Sequence, residues 1–278
     1  MTTQSIYKSP AGEQIMMDLY NAVLADWSVP CQTLTIPTRH GDTFIIVSGD
    51  EAAPPLLLLH GAGSNSAIWR PDMMQYSQAH RVFAVDLLGE AGKSAPSRPL
   101  WDGPAYAEWL EDVFDALKID KAAIVGISQG SWTALKFATC YPKRITKLAL
   151  LCPGGVVPDR LSFVLRVIPL SLMGKWGTKQ IMHLVFGNVP IPKEAEEFMT
   201  LSMTHFKPRL GVLPLFSDEE LQHLTMPVLV IMGEKDALRD ANKIVTRLQH
   251  LLPKFTAKVI PDAGHALLDT TRYVAPFL

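Results

Sequence analysis

The chain has 278 residues, 48% of them hydrophobic, which suits one large α/β domain carrying an insertion better than two independent domains. Lys and Arg (26) nearly balance Asp and Glu (27), so the charge points to neither nucleic acid nor an anionic membrane as partner. Residues 1–5 lack the basic and apolar segments of a signal peptide, and no apolar run is long enough to span a bilayer. Cys31, Cys140 and Cys152 form no Cys-x-x-Cys pair and read as reduced, buried small hydrophobes; a cytoplasmic protein is expected.

In chain order, residues 12–27 place Ile15, Met16, Leu19, Val23 and Leu24 on one face of an amphipathic helix that ends before Pro30. Residues 33–36 and 43–47 predict two strands joined at the turn His40-Gly41-Asp42. Short apolar runs follow at 56–59, 81–85, 122–127, 145–151, 228–232 and 257–260. They mostly lack alternation, as strands buried on both faces of a parallel sheet do. Helical patterns at 106–117, 132–139 and 241–251 separate several of them, which predicts an α/β sheet with helices on both faces.

One stretch breaks this alternation. Far more chain lies between Leu151 and Val228 than a crossover helix needs, and it is rich in Leu, Met, Phe and Pro. It predicts a helical insertion over 154–224, with 1–153 and 225–278 forming the core domain. Its prolines (Pro158, Pro169, Pro190, Pro192, Pro208 and Pro214) break it into short helices. Taken singly, each of its apolar residues reads as core. Taken together, they read as a lid over the strand ends, since ligands bind beyond the carboxyl ends of parallel strands. Phe163, Met182 and Phe186 are the expected wall of an apolar substrate pocket, with Trp69 from the core domain.

The chemistry centres on Gly126-Ile127-Ser128-Gln129-Gly130, directly after the strand 122–127 and before a helix. Such a turn strains the serine backbone and aims its hydroxyl into a cleft. Small residues two positions to either side allow strand and helix to approach. Serine needs a base, and the base needs a carboxylate that fixes its tautomer. Among eight histidines, His265 is best placed, in the turn Pro261-Asp262-Ala263-Gly264-His265 after the last strand. No histidine shows metal-ligand spacing with another, so no metal is expected. Asp236, just after the strand 228–232, is the expected acid; Glu234, Asp240 and Asp262 read as solvated loop charges. An oxyanion needs donors, for which the backbone N–H groups of Ala62 (in His60-Gly61-Ala62-Gly63) and Gln129 are placed. His60 is expected to brace that loop.

With these features the chain resembles the α/β-hydrolase superfamily, from about residue 33 to its end, and most of all its small capped esterases. The resemblance implies an eight-stranded, mostly parallel sheet flanked by helices, with a helical cap after the sixth strand. It implies the catalytic order Ser128, Asp236, His265. The loop Asp86-Leu87-Leu88-Gly89-Glu90-Ala91-Gly92-Lys93-Ser94 resembles the family's Asp-x-x-Gly-x-Gly-x-Ser with one residue extra, and Ser131 stands where many relatives have glycine. Gly92-Lys93-Ser94 lacks the upstream glycine of a phosphate loop, so no nucleotide is implied.

The expected activity is that of a cofactor-free serine hydrolase cleaving apolar carboxylic esters through an acyl-enzyme on Ser128. Thioesterase, lactonase, amidase and carbon–carbon bond hydrolase are alternatives on the same triad, and a ligand receptor is one from another class. A serine at this position argues against epoxide hydrolase and haloalkane dehalogenase. The expected partner is a small-molecule ester, with no nucleic acid and no stable membrane insertion.

Overall fold

A computed structural model of the chain describes residues 5–278. The absence of a leader, read from the first residues, therefore falls largely outside the described part. The strands are β1 (Cys31–Ile36), β2 (Thr43–Ser48), β3 (Pro55–Leu59), β4 (Arg81–Val85), β5 (Ala122–Ile127), β6 (Ile145–Leu151), β7 (Val228–Gly233) and β8 (Phe255–Ile260). They form one sheet in the order β1-β2-β4-β3-β5-β6-β7-β8. β2 runs antiparallel to both its neighbours, and every other pairing is parallel.

The pleat explains why the strands read as unbroken apolar runs. Leu57 and Leu59 of β3 point into a core shared with Val228, Val230 and Met232 of β7. Leu56 and Leu58 point to the opposite face, with Leu229 and Ile231. Both faces are dry because both are covered, so alternation has no polar side to mark. The first face packs under α3 (Ala105–Ala116), α4 (Gln129–Cys140) and α9 (Ala241–Leu251), through Trp109, Leu135 and Ile244. The second packs on α1 (Pro10–Ala25), α2 (Arg70–Tyr76) and α10 (Thr271–Val274), through Tyr20, Met73 and Val274.

Four helices occupy the long segment between β6 and β7: α5 (Leu161–Ser171), α6 (Gly174–Phe186), α7 (Lys193–His205) and α8 (Asp218–Gln222). Pro169 does not interrupt α5; it lies in its last turn. α5 buries none of its residues, and Leu161, Leu165 and Ile168 are exposed. The inner face of α6 buries Ile181, Met182 and Phe186. Among the described residues no helix is long and apolar enough to cross a membrane.

Three readings need correction. α1 buries Gly12, Met16 and Tyr20, whereas Ile15 is exposed. An i, i+4 row set by packing on α7 and the sheet replaces the broader stripe the apolar residues alone predicted. Cys31 and Cys140 are exposed, because one opens an edge strand and the other ends α4; only Cys152 is buried. Trp69, expected at the pocket, is 1% exposed and packs in the core with Met73 and Tyr76. It closes a 3-10 turn (Ser66–Trp69) that leads into α2 and directs its ring beneath the sheet.

α4 docks on β5 and β3 with no room to spare. A Cβ on Gly126 would lie 2.6 Å from Ser131 N, and one on Gly130 would collide with the Leu59 carbonyl oxygen. Ser131 contributes a further tie. Its hydroxyl donates to Gly126 O at 2.6 Å and accepts from Leu151 N at 3.1 Å, joining the ends of β5 and β6 to the helix. Because Gly130 faces backbone rather than flexible side chains, Gly130→Ala should cost about 3 kcal/mol. Thermal denaturation followed by circular dichroism should then show a Tm lower by about 5 °C. An unchanged Tm would mean that the helix can shift off the strand.

Candidate active site

The strand-to-helix turn holds Ser128 at φ 53°, ψ −105°, outside the conformations that side-chain-bearing residues favour. Its N–H donates to Leu151 O at 2.8 Å, and its carbonyl accepts from Trp132 N at 3.0 Å. With the backbone held at both ends, the hydroxyl projects beyond the carboxyl end of the sheet. There the structure brings together the three residues singled out from the sequence. His265 Nε2 lies 2.9 Å from Ser128 Oγ, and His265 Nδ1 lies 2.8 Å from Asp236 Oδ2.

Asp236 follows β7 in a tight turn and is fully buried. Its other oxygen accepts from the N–H groups of Leu238 at 2.8 Å and Arg239 at 2.9 Å. Burial pushes this carboxyl up, but the His265 ring and those two N–H donors outweigh it and hold it below the ordinary carboxylate range. An ionised Asp236 accepts only, so the ring donates from Nδ1 and leaves Nε2 to take the serine proton. An alcohol, an imidazole and a buried carboxylate in this chain can pass a proton away from the oxygen as it attacks. Of the other carboxylates of the region, Glu234 and Asp262 are exposed loop charges as expected, Glu234 also accepting from Asp262 N at 3.2 Å, whereas Asp240 caps α9 and pairs with Arg160 at 3.1 Å.

The loop after β3 runs past the same hydroxyl; a Cβ on Gly61 would lie 3.7 Å from Ser128 Cβ. His60 is fully buried. Its Nε2 accepts from Leu87 N at 2.9 Å, so Nδ1 carries the proton and donates to Gly61 O at 2.8 Å. Burial lowers its pKa below the ordinary histidine value, and the neutral ring braces the loop as expected.

The helical segment reaches the site through its backbone. Phe186 O accepts from Gly264 N and Val185 O from Ala266 N, both at 2.9 Å, so the end of α6 holds the chain on either side of His265. From α7, Ser202 Oγ donates to Gly63 O at 2.8 Å. Met182 and Phe186 are buried on α6, whereas Phe163 on α5 is half-buried. Two surface hollows, of about 630 and 200 Å³, lie elsewhere and include none of Ser128, Asp236 and His265.

Two charged residues of the site were not found from the sequence. Glu90, in the loop with the extra residue, is 2% exposed. Its carboxylate accepts from Gly63 N at 2.6 Å and from Gln129 Nε2 at 2.9 Å, bridging the β3 loop and the residue after Ser128. Burial raises its pKa, and the two donors only partly offset this. The rest of that loop is held by Asp86, which accepts from Ser66 N and Lys93 N, both at 2.7 Å. The one-residue lengthening of this loop is its only mark in the sequence. The second residue, Arg239, is 3% exposed and donates from Nη1 to Ser128 Oγ at 3.2 Å. Its position three residues after Asp236 was its only signal.

Cys152 Sγ, Asp236 and His265 lie close enough to share an ion. Burial, together with the Asp236 charge, raises the pKa of this thiol above its usual range.

A sheet of this order, with the serine after β5, the aspartate after β7 and the histidine after β8, defines an α/β hydrolase. Residues 56–276 match the model of the alpha/beta hydrolase family, and the chain belongs to that family. It is 34% identical over 265 residues to an uncharacterized carboxylesterase, nap, of Bacillus subtilis, covering 92% of this chain and 88% of that protein. It is 30% identical over 268 residues to carboxylesterase YbfK of the same organism, covering 92% and 89%. The crystal structure of naproxen esterase (carboxylesterase NP) from Bacillus subtilis superposes with a TM-score of 0.85 at 29% identity, over 97% of this chain and 98% of that one.

The raised pKa of Glu90 gives a prediction with a definite sign. A carboxyl whose folded pKa lies above its ordinary 4.5 is protonated more readily in the folded state, so its contribution to stability falls as pH rises. Glu90→Gln removes this titration. Its stability relative to wild type should therefore rise with pH above 4.5 in denaturant titrations. Its kcat should fall about tenfold, because the charged acceptor between Gly63 and Gln129 is lost. Parallel pH profiles of the two proteins would contradict the assignment.

Proposed function

We propose that this protein is a serine carboxylesterase that cleaves esters through an acyl-enzyme on Ser128. The observation that carries the reading is the chain of hydrogen bonds Ser128–His265–Asp236, at 2.9 and 2.8 Å, on a strained turn at the sheet's carboxyl edge. The two carboxylesterase relatives, similar over nearly the whole chain, favour an ester over a thioester, lactone or carbon–carbon substrate. Three free thiols accompany a cytoplasmic location.

In this reading His265 takes the hydroxyl proton as Ser128 attacks the ester carbonyl, and Asp236 holds the imidazolium that forms. The carbonyl oxygen becomes an oxyanion, received by the N–H groups of Ala62 and Gln129. The second stands at the start of α4, where amides are unpaired and the helix dipole favours an anion. His265 returns the proton to the leaving alcohol, and water repeats the sequence to release the acid. Segment 154–224 is the cap. Its α5 buries nothing, while its α6 ends on the His265 loop and its α7 holds Gly63 through Ser202, so a covering layer meets the site at two anchored edges. Met182 and Phe186 on the inner face of α6, with Phe163, supply an apolar wall.

Two measurements test this reading. A fluorophosphonate probe should label Ser128 alone, and label nothing in Ser128→Ala. Asp236→Asn should fold normally yet lose at least about a thousandfold in kcat, because the amide favours the wrong tautomer of the ring. Near-wild-type activity in that variant would reassign the acid. For the cap, each methylene added to the acyl chain of a neutral ester should raise kcat/KM about fourfold until the wall is filled, from about 0.8 kcal/mol per methylene. A series led by short or strongly polar acyl groups would remove Phe163, Met182 and Phe186 from the pocket.

A further inference from the structure

The guanidinium of Arg239 is a buried cation beside the proposed nucleophile, and the reaction described above gives it no role. Its Nε donates to Asp159 at 2.8 Å, and its Nη1 donates to Cys152 O at 2.9 Å and to Ser128 Oγ at 3.2 Å. The backbone N–H of the same residue holds Asp236. The side chain is thus clamped between the ends of β6 and β7 and aimed at one atom, the serine oxygen. Taking a guanidinium out of water is costly, and its two partners offset that cost without any need to reach the serine. Contact with the reacting oxygen is the part of the arrangement that packing does not explain.

We propose that Arg239 is a catalytic residue of the deacylation half-reaction, stabilising Ser128 Oγ as it becomes the leaving group. The inference rests on the acyl-enzyme reading. In deacylation, His265 Nε2 takes a proton from water as the water oxygen bonds to the acyl carbon. The tetrahedral intermediate then collapses and the C–Oγ bond breaks. Its electron pair goes to Oγ, His265 returns the proton there, and the carboxylic acid departs. An ester oxygen is a weak acceptor, so the Nη1–H···Oγ bond is poor in the acyl-enzyme and strengthens as negative charge gathers on Oγ. A contact that is stronger in the transition state than in the preceding ground state lowers the barrier. The same bond does less for acylation. In the free enzyme the serine hydroxyl already accepts it, so ground state and transition state are stabilised together.

That asymmetry gives a signature which a merely structural role would not. With p-nitrophenyl butyrate in stopped flow, Arg239→Met should lower kcat about 10- to 100-fold and lower KM in proportion, leaving kcat/KM nearly unchanged. The first turnover should release one p-nitrophenol per active site at a rate within about threefold of wild type, followed by a slow steady state. Arg239→Lys, which keeps a cationic donor, should recover part of kcat. Fluorophosphonate labelling at the wild-type rate shows that the variant is folded with Ser128 in place. If Arg239→Met fails that check, Arg239→Gln gives the same comparison, since its amide can keep the Cys152 contact without the charge. A fall in kcat/KM with no burst, or unchanged kcat, would overturn the proposal and leave Arg239 a brace. Failure of the reading beneath it would look different: Ser128→Ala would still turn over the ester or take the label.

Discussion

Everything at the sheet's carboxyl edge depends on how closely α4 approaches β5 and β3. Without side chains at Gly126 and Gly130 the helix begins only one residue beyond the strand's end, and Ser128, the residue between them, is held at φ 53°. The strain is local, but its restraint is global. Ser128 N is tied to β6, and the Ser131 hydroxyl is tied to the ends of both β5 and β6. A serine in place of a third glycine therefore adds polar ties where a bare helix face would only pack. A turn held from two strands can keep an unfavourable backbone conformation because relaxing it means undoing the core.

Around that turn the remaining parts arrive on separate loops, each fixed by a buried polar residue. His60 fixes the β3 loop against β4's exit, Asp86 fixes the β4 loop, and Glu90 links both to Gln129. On the other flank, Asp236 and the α6 carbonyls hold the His265 turn. Loops of this kind have few apolar contacts of their own, so hydrogen bonds in a dry setting set their geometry. This division of labour explains why the site is accurate although nearly all of it lies between elements rather than within them.

Much of this was legible in the amino-acid order, and the reasons differ by element. β4, β5, β6 and α9 appear where their apolar patterns place them, since for the strands burial on both faces writes itself as continuous hydrophobicity. Ser128, His265 and Asp236 were legible because each follows a strand in a glycine-marked turn. Trp69 was misplaced because a tryptophan after a small-residue loop reads alike whether its ring points to a cleft or under the sheet. Only the short 3-10 turn decides. Asp240 was read as a solvated charge because an N-cap and a loop acid share the same residue type. Glu90 and Arg239 were illegible for a stronger reason. A buried charge is identified by its partners, and those partners lie far along the chain: Gly63 and Gln129 for one, Cys152, Asp159 and Ser128 for the other.

Glu90 and Arg239 also share an energetic logic. Both are almost wholly enclosed charged groups, one behind the β3 loop and one beside the serine oxygen. Replacing enclosed ions by apolar groups of similar size is often neutral or stabilising, so stability alone does not account for them. What each does supply is a fixed direction for a donor or acceptor that water would otherwise solvate and blur. Glu90 turns Gly63 N and the Gln129 side chain inward, and Arg239 presents a cationic N–H to a single oxygen. A site built this way gives up some folding free energy in exchange for groups that need no reorganisation when charge moves through it. The apolar sheet core, closed on both faces, is what lets the molecule carry that deficit at one edge.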